Sequence, residues 1–421
     1  MGAEILLLIL LMSVAGALLG AFTGLVPGIH VNTLAAVMLT SYPALYVAVS
    51  GFADPAVVPV LVSACIMSAS VVHSFMDFIP AVFIGAPDAD EALTMLPGHR
   101  MLMNGEGMAA VRAAAIGSAV GALSAIALAV PIQFIMLNGA AEIMNQITLY
   151  VVLFVSIVII FSAEGTEGKI LATILFVVSG ALGLVCDMNV LSQGLFGNGT
   201  LLFPLLSGLF GIPPLLRSVG NEGMPEQYDY EEDPVGPLPG LKGVLTGCVA
   251  GWFPGITATA GAALSASVSK EERPENFISL VASIGTVTSV FSLVTLSVTG
   301  SGRSGTSVVI KEIIGDGLEG FCSEAFLLLL MTICIAAAFG YIMTIAAGRG
   351  MSTIADRIDP YKMSVGALIL LILIVALMTG IGGLCVLTIA TLLGLVPQYA
   401  GTSRIPLTGC LLLPVILSGL I

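Results

Sequence analysis

Apolar residues run along this chain in long blocks, divided by short polar or glycine-rich interruptions. Stretches 56–76, 113–141 and 277–302 contain no Asp, Glu, Lys or Arg. Blocks of this length predict membrane-crossing helices, because about 20 apolar residues span a ~30 Å hydrocarbon core. In lipid only helices or closed barrels satisfy their own backbone, and the ten-residue alternation of a barrel is absent. The pattern predicts an all-α polytopic, multi-pass protein of the cell membrane, with about 10–14 membrane segments.

The segments divide into two sets of seven. The first set lies near 5–23, 29–49, 56–84, 108–136, 147–161, 169–186 and 200–216; the second near 241–250, 255–269, 277–299, 324–347, 363–379, 382–396 and 404–420. A shift of 227 residues superposes Gly16, Leu18, Gly20, Gly24, Pro27, Gly28, Ile29, Ala35 and Ala36 on Gly243, Leu245, Gly247, Gly251, Pro254, Gly255, Ile256, Ala262 and Ala263. That agreement predicts two repeats, 1–217 and 241–421, joined by a linker at 218–240. Segments 241–250 and 255–269 are together too short for two crossings. They read as a re-entrant hairpin, and two such re-entrant or broken-helix hairpins are expected, one per repeat.

Charge orients the halves. If the loops at 50–55, 137–146 and 187–199 face outward, eleven of the thirteen Lys and Arg residues fall on the cytoplasmic side, Arg112, Arg273 and Arg349 among them. Each half then crosses an odd number of times, so the repeats are expected to be inverted. Arg303 and Lys311 break the rule, and Arg303 sits in the polar stretch TGSGRSGTS, 299–307.

The interruptions carry the candidate chemistry. GLVPGIHVNT (24–33) and GWFPGITATA (251–260) put Pro-Gly where lipid favours leucine. A helix that begins inside the membrane leaves unpaired N–H groups and a partial positive charge at its start, which suit an anion. Proline needs no partner at the first helical position, and glycine admits a ligand to the backbone. Pro27, Gly28, His30, Asn32 and Thr33 are therefore expected to face Pro254, Gly255, Thr257 and Thr259 around one anionic substrate. Arg303, with Ser304 beside it, is the natural carboxylate partner. The polar residues after each break have a second reading, in which they satisfy the interrupted backbone. His73 and Asp77, one helical turn apart, are candidates for ion coupling or for a structural pair. Residues 83–107 read as an elbow at the inner mouth or as a plain surface loop.

The net charge of −13 over 421 residues, with 9% charged, excludes a nucleic-acid partner. Much of it lies in Glu222, Glu226, Asp229, Glu231, Glu232 and Asp233, a run read as a solvated linker. Seven scattered cysteines without a C-x-x-C pair read as small core residues. No catalytic or metal-binding motif and no Walker motif occurs, so an enzyme and a built-in ATP motor are disfavoured. No cofactor is expected beyond a coupling Na+ or H+.

With GLVPG, GWFPG and APDADEALTMLPGHRMLMNGEG on view, the chain resembles the large membrane subunit of tripartite tricarboxylate transporters, in particular the archaeal branch grouped with that family. The resemblance implies uptake of carboxylates on an ion gradient, with an extracytoplasmic binding protein and a small membrane subunit as partners. The family's Pro-Glu and paired asparagines after the second Pro-Gly are replaced here by TGSGRSGTSVVIKEI. The leading expectation is a secondary active transporter of di- or tricarboxylate-like anions. The alternative is a carrier of anionic lipid head groups such as polyprenyl phosphate, and an intramembrane enzyme ranks below both. Homodimerisation is left open.

Overall fold

The computed structural model describes residues 3–26, 29–83, 95–187, 191–195, 197–218, 225–229, 232–253, 261, 273–354, 357 and 360–420. Their architecture is helical throughout apart from one two-stranded hairpin. The first part of the chain forms α1 (Ala3–Leu25), α2 (Val31–Thr40), α3 (Tyr42–Ser50), α4 (Val58–Met76), α5 (Phe78–Phe83), α6 (Met95–Met103), α7 (Gly107–Ile135), α8 (Ala141–Phe161) and α9 (Gly165–Asp187). The hairpin β1 (Leu191–Gly194) and β2 (Gly197–Thr200) follows, then α10 (Leu202–Leu206) and α11 (Ile212–Ser218) across a π-helical turn. Beyond the linker come α12 (Leu238–Trp252), α13 (Pro274–Thr299), α14 (Gly305–Ile314), α15 (Glu324–Ile354), α16 (Pro360–Ala400) and α17 (Gly409–Leu420). Seven helices among the described residues are long and apolar enough to cross a membrane.

The apolar block at 29–49 is not one helix. It breaks at Ser41 into α2 and α3, which are bent by 71°. Pro43 in the first turn of α3 supplies no N–H to a continuing ladder and disfavours helical backbone just before it. Ten residues of α2 rise only ~15 Å, half of a hydrocarbon core, so α2 cannot cross alone. The matching stretch of the second half, 254–272, lies outside the described residues apart from Gly261.

Segments 363–379 and 382–396 are joined in α16 across a break at Gly380, whose φ of 58° and ψ of −149° suit only glycine. The hairpin docks there. Leu195 N–H donates to Leu377 O at 2.8 Å, taking up a carbonyl that the break releases.

α4 and α13 are the most enclosed of the crossing helices, and glycine stripes let neighbours approach their backbones. A Cβ on Gly16, Gly20 or Gly24 of α1 would meet the carbonyls of Cys65, Ala69 and His73 on α4. On α12, a Cβ would stand 2.6 Å from Leu280 O at Gly243, 3.0 Å from Ile284 O at Gly247, and 3.0 Å from Thr288 O at Gly251. The two interfaces therefore share one register, with contacts every fourth residue. Close approach through small residues is how helices gain contact where lipid offers no hydrophobic drive.

The halves also exchange helices. α7 packs on α13 through Gly117 and Gly121 against Ser279 and Ser283, and α15 packs on α4 through Gly340 against Phe75. Most of the core lies in this assembly of α1, α4 to α7 and α13 to α15. Smaller apolar clusters join α9, α10, α16 and α17.

The acidic linker is only partly solvated. Glu226, Glu232 and Asp233 are exposed, whereas Gln227 and Asp229 are tied to the bundle. Arg112, Arg273 and Arg349, which the charge pattern places on one face, all reach this linker.

Candidate functional site

The first break is organised by histidine. His30 caps α2 in extended conformation (φ −80°, ψ 149°), and its Nδ1 accepts the Asn32 N–H at 3.1 Å. A neutral His30 therefore carries its proton on Nε2. Its ring lies 5.1 Å, centroid to centroid, from that of His73 on α4. His73 is buried, with Nδ1 3.0 Å from Thr23 Oγ1 and Nε2 4.0 Å from Asp77 Oδ2. Thr23 also donates to Gly20 O at 3.1 Å. The threonine hydroxyl thus bridges the α1 backbone and His73, whose other ring nitrogen lies on the Asp77 side. Asp77 caps α4 and is buried too. Three ionisable side chains thus converge where α1, α2 and α4 meet.

The second half enters through α14. Thr306 N–H, in its first turn, donates to Asn32 Oδ1 at 3.1 Å. A Cβ on Gly305 would stand 2.8 Å from Asn32 Cγ, so this approach needs glycine. Asn32 thus satisfies one of the orphan donors of α14 from 274 positions away. The start of α14 is otherwise self-contained. Ser304 and Ser307 form a reciprocal capping box, and Ser304 Oγ lies 2.9 Å from Thr306 Oγ1. Ser304 and Asn32 were expected as substrate ligands. In the structure the Asn32 side chain accepts from Thr306 N–H and that of Ser304 from Ser307 N–H.

Arg303, next to the cap, differs from its companion Lys311. Lys311 Nζ is 2.8 Å from Asp316 Oδ1 and 2.7 Å from Glu319 Oε1, so its charge is answered locally. Arg303 makes no ion pair among the described residues, and its Nε is buried without a hydrogen-bond partner. Thr33 Oγ1 on α2 is likewise buried and unpartnered. An orphaned buried donor costs about 1–3 kcal/mol, so these two are the open valences of the region. At the second break, the buried indole Nε1 of Trp252 also lacks an acceptor.

Of the residues expected at the site, His30, Asn32, Thr33, His73, Asp77, Arg303 and Ser304 are described; Pro27, Gly28, Pro254, Gly255, Thr257 and Thr259 lie outside the described residues. Asn32 joins α2 to the residues just after Arg303, while Ser304 turns inward to its own helix. Thr23 and Thr306 were not singled out from sequence. Thr23 sits on the glycine stripe of α1 and looks like one more small packing residue until His73 is placed against it.

Among curated proteins the chain is similar to an uncharacterized protein of Methanocaldococcus jannaschii, 29% identical over 318 residues, which is 72% of each chain. No solved structure matches. The model of the TctA family of tripartite tricarboxylate transporters matches residues 10–409, almost the whole length. The glycine-packed, interrupted bundle described above is thus that of a multi-pass membrane transporter, and the chain belongs to the TctA family.

Proposed function

We propose that the protein is a secondary active transporter of small organic anions of the di- or tricarboxylate type, driven by a sodium or proton gradient. The observation that carries this reading is Arg303. A guanidinium with a buried, unpartnered Nε stands three residues from the point where the halves touch through Asn32 and Thr306. A carboxylate is the ligand whose geometry a guanidinium fork matches. Thr33 Oγ1, buried and unpartnered one residue along α2 from Asn32, offers a neutral hydrogen bond to the same ligand. His73, Asp77 and His30 form the ionisable group next to that point, and coupling of the driving ion belongs to them.

Two repeats, 1–217 and 241–421, inverted across the membrane, are the frame of this reading. The common register of the glycine contacts on α4 and α13 supports the repeat, and the distribution of basic residues supports the inversion. Single cysteines at Ala53 and Asn276 should react with membrane-impermeant reagents from opposite faces; reaction from the same face would refute inversion. The family's subunit composition supports an extracytoplasmic binding protein and a small membrane subunit as partners.

The decisive experiment is a thermal-shift screen of purified protein against di- and tricarboxylates, inorganic phosphate and polyprenyl phosphate, each with and without sodium. A carboxylate should raise the melting temperature in wild type and in Lys311→Ala and leave Arg303→Ala unmoved. A shift confined to the phosphates would replace the carboxylate reading with the lipid head-group one. An equal carboxylate shift in Arg303→Ala would remove the arginine from the site.

A further inference from the structure

The linker makes contacts that a passive connection does not require. Gln227 Oε1 accepts the Gly107 N–H at 3.0 Å, and its Nε2 donates to Leu102 O at 3.1 Å. Tyr228 N–H donates to Gly105 O at 2.8 Å. Gly105 has φ +80°, and a Cβ there would stand 2.9 Å from Glu226 O and from the Tyr228 ring. The segment 225–229 is thus seated on the α6–α7 turn of the first half by one main-chain bond and two bonds of the Gln227 side chain.

That seating delivers Asp229 to two arginines. Its Oδ1 accepts from Arg112 Nε at 3.2 Å and from Nη2 at 2.8 Å, and its Oδ2 accepts from Arg349 Nε at 3.2 Å. Arg112 stands on α7 with its side chain 9% exposed; Arg349 stands on α15 at 56%. One carboxylate therefore answers a buried cation of the first half and an exposed cation of the second. Without it, two guanidiniums face each other, and the buried one is left uncompensated.

The geometry points to Asp229 as a clasp: its carboxylate holds this end of α7 against α15, and its release lets the two ends separate. The consequence follows from the exchanged packing. α7 and α15 touch here through Gly348 against Val111 and Met108. α7 also lies on α13 and α15 on α4, so spreading this end displaces the central helix of each half relative to the other. α14, tied to Asn32, packs on α2 and α4 and is carried along. The link to substrate exposure rests on the transport reading; the clasp itself does not.

The test uses full-length protein with its accessible native cysteines replaced by alanine and spin labels at Asn104→Cys and Thr353→Cys, exposed positions beside α7 and at the end of α15. Pulsed electron–electron distances should be short and narrow in this background and in Asp229→Glu. In Asp229→Asn they should be longer and broader. Arg349→Gln should give a smaller lengthening, and molar salt should reproduce it, because the exposed limb is screened while the buried one is not. A folded Asp229→Asn protein with unchanged distances would overturn the clasp. Should loss of the Arg112 partner prevent folding, unchanged distances in Arg349→Gln would overturn it equally. The measurement needs no substrate, so a protein that takes up no anion would sink the transport reading and leave this result standing.

Discussion

The α1–α4 and α12–α13 interfaces are built alike and loaded differently. Both bring a glycine stripe of i, i+4, i+8 spacing onto the carbonyls of a buried helix, and the register places His73 opposite Gly24 where Thr288 lies opposite Gly251. By the same register Asp77 corresponds to Ser292. In the second half the corresponding hydroxyls donate to backbone: Thr288 to Ile284 O at 2.7 Å, with Gly247 O of α12 at 3.4 Å, and Ser292 to Ser289 O at 2.7 Å. In the first half the groups differ: a carboxylate has no hydrogen to give a carbonyl, and His73 contacts Thr23 on α1, His30 at the start of α2 and Asp77 one turn along α4. The lesson is that two glycine-packed interfaces of one register carry different chemistry, the buried histidine and aspartate lying on the first. The second half contributes a cation, Arg303, and a helix start.

The comparison can be broken at three levels. The largest effect is expected from the scaffold. Gly20→Leu and Gly247→Leu each drive a side chain into a backbone carbonyl, and overpacking of this kind costs about 1–3 kcal/mol or more. Both should lose most of the monodisperse protein recovered in detergent, to a similar extent. Tolerance of one alone would show that the interfaces are not equivalent. Intermediate in size is His73→Thr, which gives the first half the residue of the second. It should remain folded with an unshifted melting temperature while uptake falls by about 10-fold or more, equivalent to ~1.4 kcal/mol. Full uptake by that variant would deprive the asymmetry of functional meaning. Smallest is Thr288→Val. The short bond that is lost runs within its own helix, and the one to Gly247 O is long at 3.4 Å, so stability should change by less than about 1 kcal/mol and transport should be unaltered. A transport defect there would make the second interface chemically active after all.

Much of this was legible in the chain. Long uncharged blocks announce a helical membrane bundle, because lipid restricts the backbone so severely, and the spacing of Gly16, Gly20 and Gly24, shared by Gly243, Gly247 and Gly251, marks both glycine-packed interfaces. His73 and Asp77 stood out for the same reason, since an ionisable group in an apolar run is costly. The break at Ser41 was missed because Tyr42-Pro43 lies within an unbroken apolar run, and hydropathy does not register a missing N–H. Ser304 and Asn32 were legible as polar residues near the breaks. Whether such a residue meets a ligand or a backbone depends on where the next helix arrives, and the arrival of Thr306 beside Asn32 is invisible at a separation of 274 positions.

Asp229 marks the same boundary most plainly. By composition it is one of six acids in a hydrophilic run; in space it is the acid the seated linker sets between Arg112 and Arg349. Sequence alone determined the solvent, the helical class and the identity of the groups too polar for lipid, because those follow from transfer energies that act residue by residue. Only the tertiary structure decided which of those groups are spent on one another and which, like the Arg303 guanidinium, keep a buried donor open. Pairing depends on distances of a few ångströms between segments that the chain places hundreds of residues apart.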